Sequence, residues 1–135
     1  INGEKNTDIE NRILSHNKEI KIFYTKYKAQ NIDEFRNKKV IAFAGIGSPD
    51  SFFDLLKNNN IDILEKISFP DHYNYSDKEL ENLINKAKEN NTILLTTEKD
   101  YLRIEENYKK NINCLKIVVE IENRNQFIEE IKKVI

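Results

Sequence analysis

Two neighbouring residues, Asp71 and His72, are the first candidates for chemistry in this sequence. They follow Phe69 and Pro70 at the end of a predicted strand, and the chain contains only one other histidine, His16. Histidine is the side chain best suited to proton transfer near neutral pH, and a carboxylate can fix its tautomer. We therefore predict that His72 is a catalytic residue and that Asp71 supports it.

Two alternatives stay open for this pair. Side chains of adjacent residues in an extended segment point apart, so the carboxylate that pairs with His72 could belong to another segment, inside or outside this chain. His72 could also be a loop histidine that caps the following turn. His16, near a predicted helix end, is interpreted as structural because a cation there complements the helix dipole.

Two more polar motifs follow predicted strands and open predicted helices. Gly45-Ile46-Gly47 resembles half of a phosphate-binding turn, but a full G-x-G-x-x-G would need glycine at Asp50. In Thr96-Thr97-Glu98-Lys99-Asp100, Lys99 could hold a phosphate and Asp100 could cap the helix or orient that lysine. The alternatives are a tight turn and an ordinary helix cap. The candidates for anion or substrate binding are Gly45, Gly47, Lys99 and Asp100.

Composition excludes several classes of function. The 22 basic and 23 acidic residues give a formal charge of −1, which argues against a nucleic-acid partner. No residues have the spacing of metal ligands, so no metal site is predicted, and G-x-x-x-x-G-K-[ST] is absent. The single cysteine, Cys114, excludes an internal disulfide and is interpreted as a small buried hydrophobe.

Short apolar runs that alternate with capped helices must position these motifs. The predicted strands are Ile20–Tyr24, Val40–Ala44, Ile61–Ile67, Thr92–Leu95 and Leu115–Ile121. The predicted helix caps are Thr7, Ser48 before Pro49, Ser76, Thr97 and Asn123. Polar residues within Ile61–Ile67 place that strand near an edge. Alternation of strand and helix predicts an α/β fold, a Rossmann-like parallel sheet with helices on both faces.

We divide the chain into residues 1–30, the tail of a preceding domain and a linker, and residues 31–135, an α/β domain. The chain begins at Ile1 and contains no methionine. We therefore expect it to be a fragment of a longer protein.

Three ordered motifs resemble the C-terminal part of the tetraacyldisaccharide 4′-kinases, the lipid A 4′-kinases of Gram-negative bacteria. The first runs from Ala42 to Pro49 with two phenylalanines close behind it, the second is Phe69-Pro70-Asp71-His72-x-x-Tyr75, and the third is Leu95-Thr96-Thr97-Glu98-Lys99-Asp100-x-x-Arg103. The resemblance covers about residues 36–121. Each motif alone is weak, and the ordered set is specific.

The resemblance implies an enzyme that transfers the γ-phosphoryl group of ATP, with Mg²⁺, to the 4′-hydroxyl of a lipid A disaccharide precursor. It implies peripheral association with the cytoplasmic face of the inner membrane. It also implies that the phosphate-binding loop lies in a P-loop-type N-terminal domain missing from this chain, which would leave the fragment inactive alone and binding neither ATP nor Mg²⁺ itself.

Within that resemblance, the histidine of the F-P-D-H motif, here His72, pairs with an aspartate of the N-terminal domain and activates the sugar hydroxyl. A different class of function remains open, a Rossmann-like binding or interaction module without chemistry. A small standalone transferase using Asp71 and His72 is the third hypothesis, and the absent phosphate loop argues against it.

Overall fold

In the computed structural model, which describes all 135 residues, the apolar run Val40–Ala44 lies inside a parallel sheet. Every residue of this run is buried. Val40 and Ala42 pack in one apolar cluster. Ile41 and Phe43 pack in a second cluster. Because successive side chains of a strand point to opposite faces, this strand is covered on both faces, as its unbroken apolar sequence predicts.

The strands form two sheets. The strands are β1 (Thr25–Ala29), β2 (Lys39–Ala44), β3 (Asp62–Ser68), β4 (Ile93–Thr97), β5 (Asn113–Leu115) and β6 (Ile117–Ile121). The main sheet has the order β3-β2-β4-β5, and all of its neighbours run parallel. β1 and β6 form a separate two-stranded sheet. The predicted α/β class with a parallel sheet is confirmed.

Helices cover both faces of the main sheet. The helices are α1 (Thr7–His16), α2 (Pro49–Asn58), α3 (Asp77–Glu89), α4 (Glu98–Arg103), α5 (Glu106–Lys109) and α6 (Arg124–Lys132), with a 3-10 helix at Ile32–Phe35. α2 contributes Phe52, Phe53 and Leu56 to the first cluster. α3 contributes Leu80, Leu83 and Ile84 to the second. The predicted Rossmann-like layering is therefore confirmed. No helix combines the length and the apolar character needed to cross a bilayer.

Strand β3 lies at an edge of the main sheet, as its mixed sequence predicts. Exposed and partly buried residues alternate along it. Glu65 on this strand pairs with Lys86 of α3, with 2.6 Å between Oε1 and Nζ. Glu65 is tolerated in the strand because its side chain is partly exposed and is paired with a cation.

The chain divides into two compact units that differ from the predicted domains at the C-terminus. One unit is Ala29–Ile117, called here the α/β unit, and the other joins Ile1–Lys28 to Val118–Ile135. In that second unit, the rings of Phe23 and Phe127 meet edge to face with centroids 5.2 Å apart. Residues 118–135 therefore do not belong with the α/β unit, contrary to the prediction of a domain at 31–135, because they pack with the N-terminal segment.

Two of the predicted strands differ from those of the structure. Ile20–Tyr24 is not a strand, and the ladder begins at Thr25. Within this segment Tyr24 is buried, and its hydroxyl accepts from the Asn6 amide at 2.9 Å, whereas Ile20 is exposed. Leu115–Ile121 is two strands in different sheets, separated at Lys116. Without a glycine or proline at the break, sequence alone reads this run as continuous.

Helix caps follow the sequence closely in α3 and α4. Ser76 accepts from the Glu79 amide while Glu79 accepts from the Ser76 amide, which confirms the predicted capping box. Thr97 caps α4 through the Asp100 amide. Helix α1 is capped by Asn6 rather than Thr7, since the Asn6 side chain reaches the amide of Ile9. Ser48 and Asn123 stand at N-cap positions without a side-chain cap bond.

We expect Ser76→Ala to lower the free energy of unfolding by about 1 kcal/mol, since it removes one bond of the box and leaves an amide without its partner. Ser48→Ala is the matched control, because the Ser48 side chain caps no backbone amide of its helix and bonds only to the hydroxyl of Ser51 at an exposed position. Urea denaturation of both variants measures the difference. Equal midpoints for the two variants would contradict the assigned cap.

Candidate functional site

The three polar motifs meet at one edge of the parallel sheet. The register pairs Ala44 with Ser68 and Phe43 with Thr96, so β2, β3 and β4 end at the same level. The segments that follow these strands therefore leave the sheet side by side. In open α/β sheets this carboxyl edge is where ligands bind.

Asp100 lies at the centre of this edge and is completely buried. Its Oδ1 accepts from the Gly45 amide at 3.1 Å and from the Tyr75 hydroxyl at 2.9 Å. Its Oδ2 accepts from the Thr97 hydroxyl at 2.6 Å. Arg103, one turn further along α4, donates from Nη2 to Oδ1 at 2.5 Å. A buried carboxylate needs such partners, because burial without them is costly.

The ion pair between Asp100 and Arg103 also holds the backbone of the glycine turn. Nη2 of Arg103 donates to the carbonyl oxygen of Gly45 at 2.8 Å. The amide and the carbonyl of Gly45 are thus bound by the two members of one ion pair. Nε and Nη1 of Arg103 are buried and have no partner within the chain.

These bonds correct part of the anion-binding hypothesis. The amide of Gly45 donates to Asp100 and is not free to bind a phosphate. Asp100 is buried and does not orient Lys99, which is exposed at the preceding position of the helix. For Gly45 and Asp100, a structural role at the turn explains the contacts. For Gly47 and Lys99, a role in binding an anion stays a prediction.

His72 sits in the loop that follows β3, with its side chain 85% exposed. Its φ of 56° places it in the left-handed region, which is uncommon for a residue other than glycine. Its amide donates to the Gly45 carbonyl at 3.0 Å. Nε2 of His72 lies 3.9 Å from Oδ2 of Asp71, which is longer than a hydrogen bond. The adjacent pair is therefore close in space without a hydrogen bond between the side chains.

Aromatic rings form the base of this loop. Tyr75 packs edge to face on Phe43 at 5.4 Å between centroids, and Phe69 contacts Tyr73 and Tyr75 at 4.9 and 5.1 Å. Burial raises the pKa of Tyr75, and the nearby Asp100 carboxylate raises it further. The Tyr75 hydroxyl consequently stays protonated and acts as a donor across the neutral range.

A second carboxylate fastens the loop to helix α3. The Tyr73 hydroxyl donates to Oε1 of Glu79 at 2.6 Å, and Oε2 accepts from the Ser76 hydroxyl at 2.8 Å. Hydrogen bonds from Tyr73 and then Ser76 lower the pKa of Glu79. Glu79, the acidic residue of the α3 capping box, therefore also supports the loop.

The sequence motifs include His72, whose catalytic role stays a prediction, and they do not indicate the contacts of Tyr75 and Arg103. The spacing of Asp100 and Arg103, three residues apart on a predicted helix, was the available signal for an ion pair. Nothing local in the sequence indicates that this pair reaches Gly45, 55 residues before Asp100. No group of three or more His, Cys, Asp or Glu side chains is arranged to hold a metal ion.

Comparison with known proteins gives consistent matches to one family. The family model of tetraacyldisaccharide-1-P 4′-kinase matches residues 2–135, a range that extends beyond the motifs. A tetraacyldisaccharide 4′-kinase of Pelagibacter ubique is 37% identical over 133 residues, covering 98% of this chain and 42% of that protein. The corresponding kinase of Rickettsia akari is 44% identical over 105 residues, covering 78% and 31%.

A solved structure is also similar. It is LpxK from Aquifex aeolicus in complex with ATP, which is 27% identical with a TM-score of 0.55 and covers 89% of this chain and 40% of that chain. The present chain thus spans less than half the length of each of these relatives.

We expect Gly45→Ala to destabilise the protein by about 1–3 kcal/mol, as overpacking of a tight site does. An added Cβ would lie 2.8 Å from the Tyr75 hydroxyl and 3.1 Å from Cβ of Tyr73. Gly47→Ala is the control, since its nearest neighbour is the exposed carboxylate of Asp71 at 3.4 Å. Urea midpoints measure both variants, and a loss at Gly47 as large as that at Gly45 would be inconsistent with this packing.

We expect Glu79→Gln to lower stability at neutral pH and to have progressively less effect in acid. The lowered pKa of Glu79 means that its contribution is present above the pKa of the unfolded chain and is lost as pH falls through the folded pKa. Thermal unfolding from pH 7 down to pH 3 tests this, with the exposed Glu81→Gln on the same helix as control. Parallel curves for wild type and Glu79→Gln would contradict the assignment.

Proposed function

Because the chain belongs to the tetraacyldisaccharide-1-P 4′-kinase family, we propose that it forms the C-terminal part of a lipid A 4′-kinase and supplies the base that activates the sugar hydroxyl. The observation that carries this proposal is the exposed imidazole of His72, held at the carboxyl edge of the sheet by a bonded loop. The substrate proposed is a tetraacyldisaccharide 1-phosphate, and the reaction belongs to lipid A biosynthesis.

In the proposed reaction the 4′-hydroxyl oxygen of the sugar attacks the γ-phosphorus of ATP. A new oxygen–phosphorus bond forms, the bond from the γ-phosphorus to the β–γ bridging oxygen breaks, and ADP leaves. His72 takes the proton of the hydroxyl. A sugar hydroxyl is a weak nucleophile, and a positioned base contributes about 10²–10⁴-fold to such a step.

The carboxylate that orients His72 is proposed to come from outside this chain. Asp71 lies 3.9 Å from Nε2, too far for the hydrogen bond that fixes a tautomer. The exposure of His72 supports a partner that approaches from solvent or from another domain. Asp71 is then proposed to support His72 as a neighbouring carboxylate that makes no hydrogen bond with the imidazole.

ATP is proposed to be held by residues outside these 135. The sequence contains no G-x-x-x-x-G-K-[ST] loop, and the amide of Gly45 is already bound within the protein. The relative from Aquifex aeolicus was solved with ATP, and this chain spans 40% of it. We therefore propose that the chain alone does not turn over, and that no step through Mg²⁺ depends on its residues.

We propose that the complete enzyme acts at the cytoplasmic face of the inner membrane as a peripheral protein. The proposed substrate carries acyl chains and would reside in the bilayer, whereas its 4′-hydroxyl must reach a water-soluble nucleotide.

We expect His72→Ala in the complete enzyme to lower kcat by about 10²–10⁴-fold, the contribution of a general base, with little change in the KM for ATP. His16→Ala is the matched control, because His16 is the only other histidine and lies at the end of α1. Steady-state phosphorylation of a tetraacyldisaccharide 1-phosphate measures both. Unchanged turnover in His72→Ala would remove the catalytic role and favour a non-catalytic binding module.

A further inference from the structure

Besides the bond from Tyr73 to Glu79, the loop that carries His72 is fastened to the α/β unit at three points. At its start, the Phe69 amide donates to the Ala44 carbonyl at 2.8 Å. In its middle, the His72 amide donates to the Gly45 carbonyl at 3.0 Å. At its end, the Tyr75 hydroxyl donates to Asp100 at 2.9 Å. Two of these three attachments depend on Asp100 or on the glycine that Asp100 holds.

The middle attachment is the one closest to the proposed base. Its acceptor, the Gly45 carbonyl, also accepts from Nη2 of Arg103, and the Gly45 amide donates to Asp100. The Gly45 amide and the Gly45 carbonyl belong to the two successive peptide groups that flank its Cα, and each of these groups is bound by one member of the buried ion pair. The acceptor for the His72 amide therefore has a fixed position and direction.

His72 needs such a support more than most residues would. Its φ of 56° is sparsely populated for a residue with a side chain, and such conformations persist where surrounding contacts determine them. Its imidazole is exposed, so side-chain packing does not fix it. The direction in which the imidazole leaves the loop is set by the backbone, and the backbone is set by the bond to Gly45.

We propose that Asp100 and Arg103 are positioning residues that set the direction of the His72 imidazole through the backbone of Gly45. The link is mechanical: the ion pair holds Gly45, the Gly45 carbonyl holds the His72 amide, and the amide sets the direction of the imidazole. Its catalytic consequence rests on the proposed function of His72, whereas the mechanical link can be measured without any turnover.

The alternative role for Arg103 is to bind an external phosphate or carboxylate. Such recognition uses the guanidinium as a fork, with two nitrogens on one anion. In this protein one nitrogen, Nη2, makes every bond, while Nε and Nη1 are buried. A lysine offers one donor nitrogen. It should therefore replace Arg103 if Arg103 is a positioning residue, and it should not replace Arg103 if the guanidinium binds an external anion through two nitrogens.

The first experiment is hydrogen exchange of backbone amides, followed by NMR on the 135-residue chain. In Arg103→Met the His72 amide should exchange at least about tenfold faster relative to the amide of buried Leu95, which corresponds to losing about 1.4 kcal/mol of local protection. Arg103→Lys should stay within about threefold of wild type. Unchanged exchange at His72 in Arg103→Met would overturn the mechanical link.

Tyr75→Phe tests the same support if Arg103→Met does not fold. It removes the hydroxyl that donates to Asp100 and keeps the ring that packs on Phe43. Tyr24→Phe is the matched control, because it also deletes a hydrogen-bonded tyrosine hydroxyl but in the other unit. Faster exchange at His72 in Tyr75→Phe and not in Tyr24→Phe supports the link, and equal exchange in the two variants overturns it.

The second experiment is a double-mutant cycle in the complete enzyme. Arg103→Met should lower kcat about 10–100-fold with the KM for ATP unchanged, and Arg103→Lys should recover most of it. If Arg103 acts only through His72, adding Arg103→Met to His72→Ala should cost nothing further. Additive losses would overturn positioning. A His72→Ala enzyme with full turnover would instead refute the proposed function and leave the exchange result standing.

Discussion

The buried charge of Asp100 is the constraint on which the site depends. A carboxylate taken fully out of water must be matched by donors, and here they come from separate parts of the chain. Thr97 and Arg103 are local, Gly45 follows β2, and Tyr75 ends the loop after β3. Satisfying one carboxylate therefore fixes the relative positions of three segments that leave the sheet. The loop carrying His72 is held by that requirement.

The ion pair of Asp100 and Arg103 fixes the position of the Gly45 backbone more than it adds to the stability of the fold. Buried pairs gain little net free energy over apolar packing, because desolvation offsets their attraction, whereas breaking one is costly. An apolar pair could fill the same volume, but it would leave the Gly45 amide without a partner and the Gly45 carbonyl with the His72 amide alone. Polar residues are thus required here by the backbone that they hold.

The sequence predicts the layers of this fold well because they depend on local pattern. Val40–Ala44 reads as a strand buried on both faces, and Ser76 with Glu79 reads as a capping box, since both signals lie within a few residues. The break at Lys116 and the role of Asp100 depend on distant partners. A helix cap at Thr97 explains Asp100 locally, so nothing in that segment indicates its bond to Gly45.

An exposed base can be positioned only through its backbone. His72 must remain open to solvent if it is to meet a substrate from outside the chain, and an open side chain has few contacts to hold it. The left-handed φ of His72 is unfavourable for a residue with a side chain unless surrounding contacts support it. The bond from its amide to Gly45 supplies that support from the buried side. The imidazole of His72 is therefore exposed for chemistry, while the backbone that carries it is held in place through Gly45 by Asp100 and Arg103.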